Sequence, residues 1–141
     1  MNRRTIVTIT AEKLDHNARE LSPLTLAFVG DGVYEIMVRE QMAIKFGSMP
    51  TSKLHNYGVK MVKATYQSKV YGVLEEMLTE SELSVLKRGR NAHSSTVPKN
   101  ADPVEYRRAT GVESLFGYLY LNGETQRAKE LFLLAVEKVQ I

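Results

Sequence analysis

Two apolar segments that lie far apart in the chain each place an acidic residue among apolar neighbours at helical spacing. Asp31 has this position in residues 26–35, and Glu113 has it in residues 109–120. Buried carboxylates are rare unless a cation or hydrogen-bond donors pair with them. We therefore expect two helices that pack together and bring both acids to one site, most simply a divalent metal held by oxygen ligands. The alternative is two acids satisfied by nearby Arg or Tyr side chains.

Capping signals and helical periodicity cover most of the remaining chain. A Ser–Pro pair, a Thr-to-Glu capping box and an Asp–Pro pair each open an apolar segment, as is typical of helix N-termini. The predicted helices run from Pro23 to about Phe46, from Thr51 to about Met77, from Glu80 to residues 87–89, from Pro103 to about Asn122, and from Glu124 to Val139. Gly58 and Gly72 are weak points in the second helix, where a break can occur.

No segment shows the alternation of a β-strand, so the sequence predicts an all-α fold. A chain of 141 residues suits one domain with a substantial core. Residues 1–20 show no sustained periodicity and are predicted to form an N-terminal arm, and residues 21–141 to form the domain. Residues 89–102 are polar and are predicted to form a loop, and loops of this length in a compact domain are usually functional or disordered.

The composition narrows the class of protein. The chain has no cysteine, which excludes disulfides and thiolate metal sites. No apolar run approaches the ~20 residues that span a bilayer. Residues 1–10 are too polar for a secretory signal. We therefore expect a soluble, cytoplasmic protein that does not contact a membrane.

Positive charge is concentrated in one part of the chain. Residues 86–108 hold six Lys or Arg side chains against two Asp or Glu side chains, whereas the whole chain has a net charge of only +3. A local excess of this kind favours a polyanionic partner such as nucleic acid. The alternative is a solvated charged loop.

Several short motifs, in a shared order and spacing, resemble the ribonuclease III catalytic domain. Residues 28–31 (Phe-Val-Gly-Asp) match the core of that family's first signature helix, and residues 113–121 match its late helix. Residues 89–92, 100–102 and 106–111 resemble in particular the Mini-ribonuclease III subfamily, bacterial enzymes that consist of the catalytic domain alone. The resemblance covers the chain after the N-terminal arm and leaves no room for the family's separate double-stranded-RNA-binding domain.

The resemblance implies an endoribonuclease with a ribonuclease III-type helical fold, whose catalytic and metal-binding residues are Asp31 and Glu113. The implied cation is Mg²⁺, with Mn²⁺ as a substitute; Mg²⁺ keeps several waters and borrows phosphate oxygens, so two carboxylates suffice. The implied reaction is phosphodiester hydrolysis that leaves a 5′-phosphate and a 3′-hydroxyl. Gly30 and Gly117 are expected to let the two helices approach closely enough to share the cation.

The set of acids is smaller than in the larger enzymes of this family. Their additional acids correspond here to Leu24, Ala27 and Thr110. One strongly bound cation per protomer is therefore the expectation. Glu35 follows Asp31 by one helical turn and is either an outer acid of the site or a surface or dimer-contact residue.

By the same resemblance the substrate is double-stranded RNA, which proteins recognise mainly by shape through phosphate and 2′-hydroxyl contacts. The candidate RNA-binding residues belong to the basic segment: Lys87, Arg88, Arg90, Asn91, His93, Ser94, Lys99 and Arg107. Arg107 and Arg108 both precede Glu113 by about one and a half helical turns and are candidates to flank the scissile phosphate. The alternative is that one of them, Arg108 in particular, pairs with a core carboxylate. His93 is also a candidate general base, although a bound metal can supply the hydroxide.

The resemblance further implies a homodimer in which Phe28 enters a pocket of the partner; the alternative places Phe28 in the intramolecular core. Two sites related by a two-fold axis match the two strands of a duplex. The implied role is in ribosome biogenesis, namely maturation of large-subunit (23S) ribosomal RNA from a double-stranded precursor stem, with a ribosomal protein as a candidate assistant. A non-catalytic RNA-binding or ribosome-assembly module on the same fold is the alternative, because the acid set is reduced.

Overall fold

The computed structural model describes residues 17–92 and 97–139. Within these ranges it contains a short 3-10 turn, six α-helices and no strand, so the predicted all-α fold is confirmed. The elements are the turn Ala18–Glu20, α1 Pro23–Phe46, α2 Thr51–Val62, α3 Ala64–Leu74, α4 Glu80–Asn91, α5 Pro103–Leu121 and α6 Thr125–Lys138. None of the described helices is long and apolar enough to cross a bilayer. Residues 1–16, most of the predicted arm, lie outside the described residues.

The helix starts follow the local capping signals. The Ser22 hydroxyl accepts a hydrogen bond from the Thr25 backbone N–H at 3.1 Å, and Thr79 and Glu82 form a reciprocal capping box. The Asp102 carboxylate accepts from the Val104 N–H at 2.8 Å. These bonds satisfy N–H groups that have no partner within the helix, which is why the predicted starts of α1, α4 and α5 are correct.

Helix α5 occupies the centre of the domain and packs against α1, α3 and α4. An aromatic cluster joins it to the outer helices. The ring of Tyr34 on α1 lies 6.0 Å from that of Phe116 on α5 and 5.6 Å from that of Phe132 on α6. All three side chains are almost fully buried. The tilted contact with Phe116 and the edge-to-face contact with Phe132 add to the stabilisation from buried apolar area. The position of α5 therefore depends on both α1 and α6.

Two glycines let α1 and α5 touch through their backbones. A Cβ atom added to Gly30 would lie 1.6 Å from the carbonyl oxygen of Glu113, and one added to Gly117 would lie 1.9 Å from that of Leu26. No side chain can fit at either position. The expectation that Gly30 and Gly117 permit a close approach is therefore confirmed, and this contact places Glu113 next to the turn of α1 that contains Asp31.

Helix α4 ends later than the sequence predicts. Its predicted end at residues 87–89 is wrong, because the helix continues to Asn91. Gly89 is a packing residue within the helix: a Cβ there would lie 2.4 Å from the Ser114 hydroxyl oxygen on α5. The absence of a side chain at Gly89 thus permits a second close contact between helices. Because α4 continues to Asn91, the loop before α5 is shorter than predicted.

The long second helix predicted over residues 51–77 is divided at Lys63, where ψ is 148°, and not at either glycine. Two side chains satisfy the carbonyl groups at this break. The Tyr34 hydroxyl donates to the Met61 carbonyl at 2.7 Å, and the Gln67 side-chain amide donates to the Val62 carbonyl at 3.0 Å. Because buried carbonyls need partners, these bonds stabilise the break.

Candidate active site

The two sequence-predicted acids lie on facing helices, Asp31 on α1 and Glu113 on α5, with different exposure. Glu113 is half-buried, whereas Asp31 is exposed. The expectation that both acids lie in enclosed apolar surroundings is therefore wrong for Asp31. The apolar neighbours that suggested it, Phe28 and Ile36, are 82% and 62% exposed, because this face of α1 points away from the core. Phe28 is consequently not part of the intramolecular core.

Glu113 has an unusual electrostatic environment for a carboxyl group. Burial, followed by the nearby negative charge of Asp31, raises its pKa to about 8, while the side-chain amide of Gln67 opposes the shift. Burial disfavours a lone charge, and a second carboxylate at close range disfavours it further. Without a cation, Glu113 therefore tends to hold a proton at neutral pH. A positive charge placed between them would remove this repulsion.

The donor set at this site fits a hard divalent cation. Asp31 and Glu113 supply carboxylate oxygens, and the side-chain oxygen of Gln67 is buried with no hydrogen-bond donor among the described residues. Oxygen-only donors of this kind are preferred by Mg²⁺, which retains several waters. Over residues 17–92 and 97–139, no three His, Cys, Asp or Glu side chains cluster as a metal site, so the charged donors are these two carboxylates.

Two other residues, each about one helical turn from one of the acids, have local partners. The Thr110 hydroxyl donates to the Tyr106 carbonyl at 3.0 Å within its own helix. Glu35 accepts a hydrogen bond from Arg39 at 2.8 Å across one turn of α1, and both side chains are substantially exposed. This geometry favours the surface interpretation of Glu35.

The candidate RNA-binding residues lie around the end of α4, the following loop and the first turns of α5. Exposed members are Lys87, Arg88, Asn91, Lys99 and Arg107. The Arg88 guanidinium donates to the Arg19 carbonyl at 3.1 Å, which ties it to the segment before α1. His93 and Ser94 lie outside the described residues.

Arg90 and Arg108 contact one buried tyrosine. Arg90 donates to the Tyr71 hydroxyl at 2.9 Å, and the Arg108 guanidinium carbon lies 5.1 Å from the centre of the Tyr71 ring. The contact that the structure gives to Arg108 is thus aromatic, rather than the pairing with a core carboxylate that the sequence left as an alternative. A guanidinium over an aromatic face is stabilised by the ring's quadrupole. Tyr71 and Gln67 were not predicted from the sequence, because neither belongs to a recognisable motif.

The sequence matches the family model described as "Ribonuclease III domain" over residues 24–124. Among curated proteins, it is 42% identical over 124 residues to "Mini-ribonuclease 3" of Symbiobacterium thermophilum, with 88% of this chain and 95% of that protein covered. It is 40% identical over 119 residues to "Mini-ribonuclease 3" of Staphylococcus aureus, with 83% and 88% covered.

A solved structure shares the architecture. The crystal structure of a Fusobacterium nucleatum protein superposes with a TM-score of 0.76 at 29% sequence identity, and covers 87% of this chain and 98% of that chain. The family match, the relatives and the shared helical arrangement agree with the resemblance inferred from the motifs around Asp31 and Glu113. The chain belongs to the ribonuclease III domain family of endoribonucleases, in its Mini-ribonuclease 3 branch.

Proposed function

We propose that this protein hydrolyses double-stranded RNA at a site formed by Asp31 and Glu113, with a divalent cation bound between the two carboxylates. The observation that carries the proposal is the backbone contact at Gly30 and Gly117, which brings the α1 and α5 acids together. The raised pKa of Glu113 supports it as well, because a buried acid beside a second acid is typical of a functional site.

The chemistry divides between the cation and the chain. When bound, Mg²⁺ (or Mn²⁺ in its place) supplies Lewis-acid activation of water and charge stabilisation at the phosphate. Asp31, the more exposed acid, faces solvent and the incoming RNA. Glu113, the half-buried acid, is held by the helix contact and by Gln67. In the hydrolysis, the water oxygen bonds to phosphorus, the bond from phosphorus to the 3′ oxygen breaks, and that oxygen takes a proton. The products are a 5′-phosphate and a 3′-hydroxyl.

Substrate binding is assigned to the basic surface next to this site. Lys87, Lys99 and Arg107 are exposed and can therefore reach phosphates. Arg90 and Arg108 are more restricted, since both lie against Tyr71. We assign the three exposed cations to phosphate binding. We assign Arg90 and Arg108 mainly to maintaining the structure of this surface through their contacts with Tyr71. Phosphate contacts supply affinity without base specificity.

A homodimer is part of this proposal. Phe28 and Ile36 form an exposed apolar stripe on α1, and Gly32 between them has open space around its Cβ position. Exposed apolar stripes of this kind often mark interaction surfaces. A second copy packed two-fold on this stripe would present a second Asp31–Glu113 pair to the other strand of a duplex. We further assign the protein to the cytoplasm and to maturation of the 23S ribosomal RNA precursor stem, with a ribosomal protein as a candidate assistant.

Cleavage of a labelled RNA duplex in Mg²⁺, compared with the same reaction in chelator, tests the proposal. The Asp31→Asn variant keeps side-chain size and removes a ligand charge, so cleavage should be lost while the fold is retained. Glu35→Gln is the matched control, because it removes an acid one turn along the same helix. If Asp31→Asn and wild type cleave at similar rates, the site is wrong. Cleavage of a structured ribosomal precursor then tests the finer substrate assignment.

A further inference from the structure

The side chain of Gln67 contains a buried polar atom that has no partner in the described part of the chain. Gln67 lies on α3 and is only 3% exposed, and its side-chain oxygen has no hydrogen-bond donor among the described residues. Burial of a polar atom without a partner is unfavourable, because the atom loses its hydrogen bonds to water. Because nearly all buried polar atoms in proteins bond to protein or water, an exception points to a donor beyond the described residues, such as a bound water.

The amide is held through its nitrogen. That nitrogen donates to the Val62 carbonyl at 3.0 Å, at the break between α2 and α3, and the side chain is close enough to Glu113 to act on its carboxylate. The break at Lys63 allows this arrangement, since a continuous helix would use the Val62 carbonyl in its own backbone ladder. The amide group that carries the unpartnered oxygen therefore lies beside the Glu113 carboxylate.

We propose that Gln67 is the third member of the cation site and that its side-chain oxygen accepts a hydrogen bond from a water of the cation's hydration shell. The proposal rests on the cation site of the proposed function. Mg²⁺ loses its waters reluctantly, and a cation with two protein carboxylates retains several waters that need acceptors. A neutral oxygen meets this need without adding to the repulsion between Asp31 and Glu113. Outer partners of this kind orient the ligands of a metal.

The test compares Gln67→Leu with Gln67→Glu in the folded protein without RNA. Mn²⁺ affinity is measured from the electron paramagnetic resonance signal of the free ion, and Mg²⁺ affinity by competition. Gln67→Leu removes both the donor and the acceptor, and we expect cation affinity to fall by ~10–100-fold. Gln67→Glu keeps acceptor oxygens at the same place, so its affinity should equal or exceed that of the wild type. Gln126→Leu, the same change at an exposed position on α6, should have no effect.

Each outcome decides the matter. Wild-type cation affinity in Gln67→Leu would overturn the proposal. An equal loss in both variants would also overturn it, since the role would then be only to stabilise the helix break. If Gln67→Leu fails to fold, Gln67→Glu decides alone, and weaker binding by that variant counts against the proposal. Asp31→Asn distinguishes a failure of the cation site from a failure of the role proposed for Gln67. If Asp31→Asn binds Mn²⁺ as tightly as the wild type, the cation site itself is wrong. If Asp31→Asn weakens cation binding but Gln67→Leu does not, the cation site is correct and only the role proposed for Gln67 is wrong.

Discussion

The carbonyl oxygen of Glu113 occupies the space in which a Cβ atom of residue 30 would lie. The distance from this oxygen to the ideal Cβ position is 1.6 Å. The backbone of one acid's helix thus contacts the helix of the other acid directly. This relationship makes the distance between the two carboxylates sensitive to the smallest possible substitution. Residue 30 need not touch RNA or a cation to control the site.

Gly30→Ala is therefore expected to separate α1 from α5. Over-packing of a filled interface costs about 1–3 kcal/mol and sometimes more, so thermal unfolding should shift to lower temperature and cleavage should fall. Gly72→Ala is the control, because nothing lies within 4 Å of its Cβ position. That variant should be stabilised by about 0.5–1 kcal/mol, since alanine suits a helix better than glycine. Equal melting temperatures for Gly30→Ala and the wild type would contradict the close contact.

The pKa of Glu113 predicts how stability depends on pH in chelator. The folded-state pKa is about 8, above the ordinary value of 4.5. Between these values the folded protein retains a proton that the unfolded chain has released. The free energy of unfolding should therefore decrease as pH rises from about 4.5 to about 8, and this contribution should not change further above pH 8. Denaturant unfolding at several pH values measures the slope.

Glu113→Gln cannot ionise and should lose that contribution. In the wild type, Mg²⁺ binding should strengthen as pH rises towards 8, because a ligand carboxylate must be deprotonated. If the wild type and Glu113→Gln show the same pH dependence of stability, then Glu113 does not have a raised pKa. Isothermal titration in two buffers of different ionisation enthalpy would detect the proton released on cation binding.

Phe28→Ala is expected to weaken the proposed dimer without destabilising the single chain. The side chain is 82% exposed, and exposed substitutions usually change stability by less than ~0.5 kcal/mol. A central aromatic anchor of an interface typically contributes ~2 kcal/mol or more, so the dissociation constant should rise by at least ~30-fold. Sedimentation over a dilution series measures it. Ile44→Ala is the control: Ile44 is 70% exposed on the same helix but lies about 160° around it from Phe28. Equal effects of the two variants would argue against a specific stripe.

The exposed cations make a prediction about salt. Replacement of Lys87, Lys99 or Arg107 by Ala should weaken duplex binding and lower the magnitude of the log–log salt slope by roughly 0.7–0.9 for each lost phosphate contact. Lys138→Ala, an exposed change at the end of α6, is the control. Arg90→Ala should lower the melting temperature as well, because Arg90 is bonded to buried Tyr71. Unchanged slopes in all three exposed variants would mean that RNA binds another face.

Features that depend on a few neighbouring residues could be predicted from the sequence. The caps at Ser22, Thr79 and Asp102 are hydrogen bonds between residues at most three positions apart. Their geometry is therefore determined before any helix meets another. The family motifs around Asp31 and Glu113 are likewise short enough to recognise in the chain, and they predicted that the two acids lie on facing helices.

Features that depend on distant segments were decided only by the tertiary structure. The helix break at Lys63 is stabilised by Tyr34 from α1. Helix α4 continues beyond Gly89, because this glycine packs against Ser114 on α5 and does not end the helix. The exposure of Phe28 depends on which face of α1 meets the core, since an apolar stripe has the same periodicity whether it packs inward or against a partner. The role that we propose for Gln67 arises in the same way, because a buried oxygen lacks a partner only once every neighbouring helix is in place.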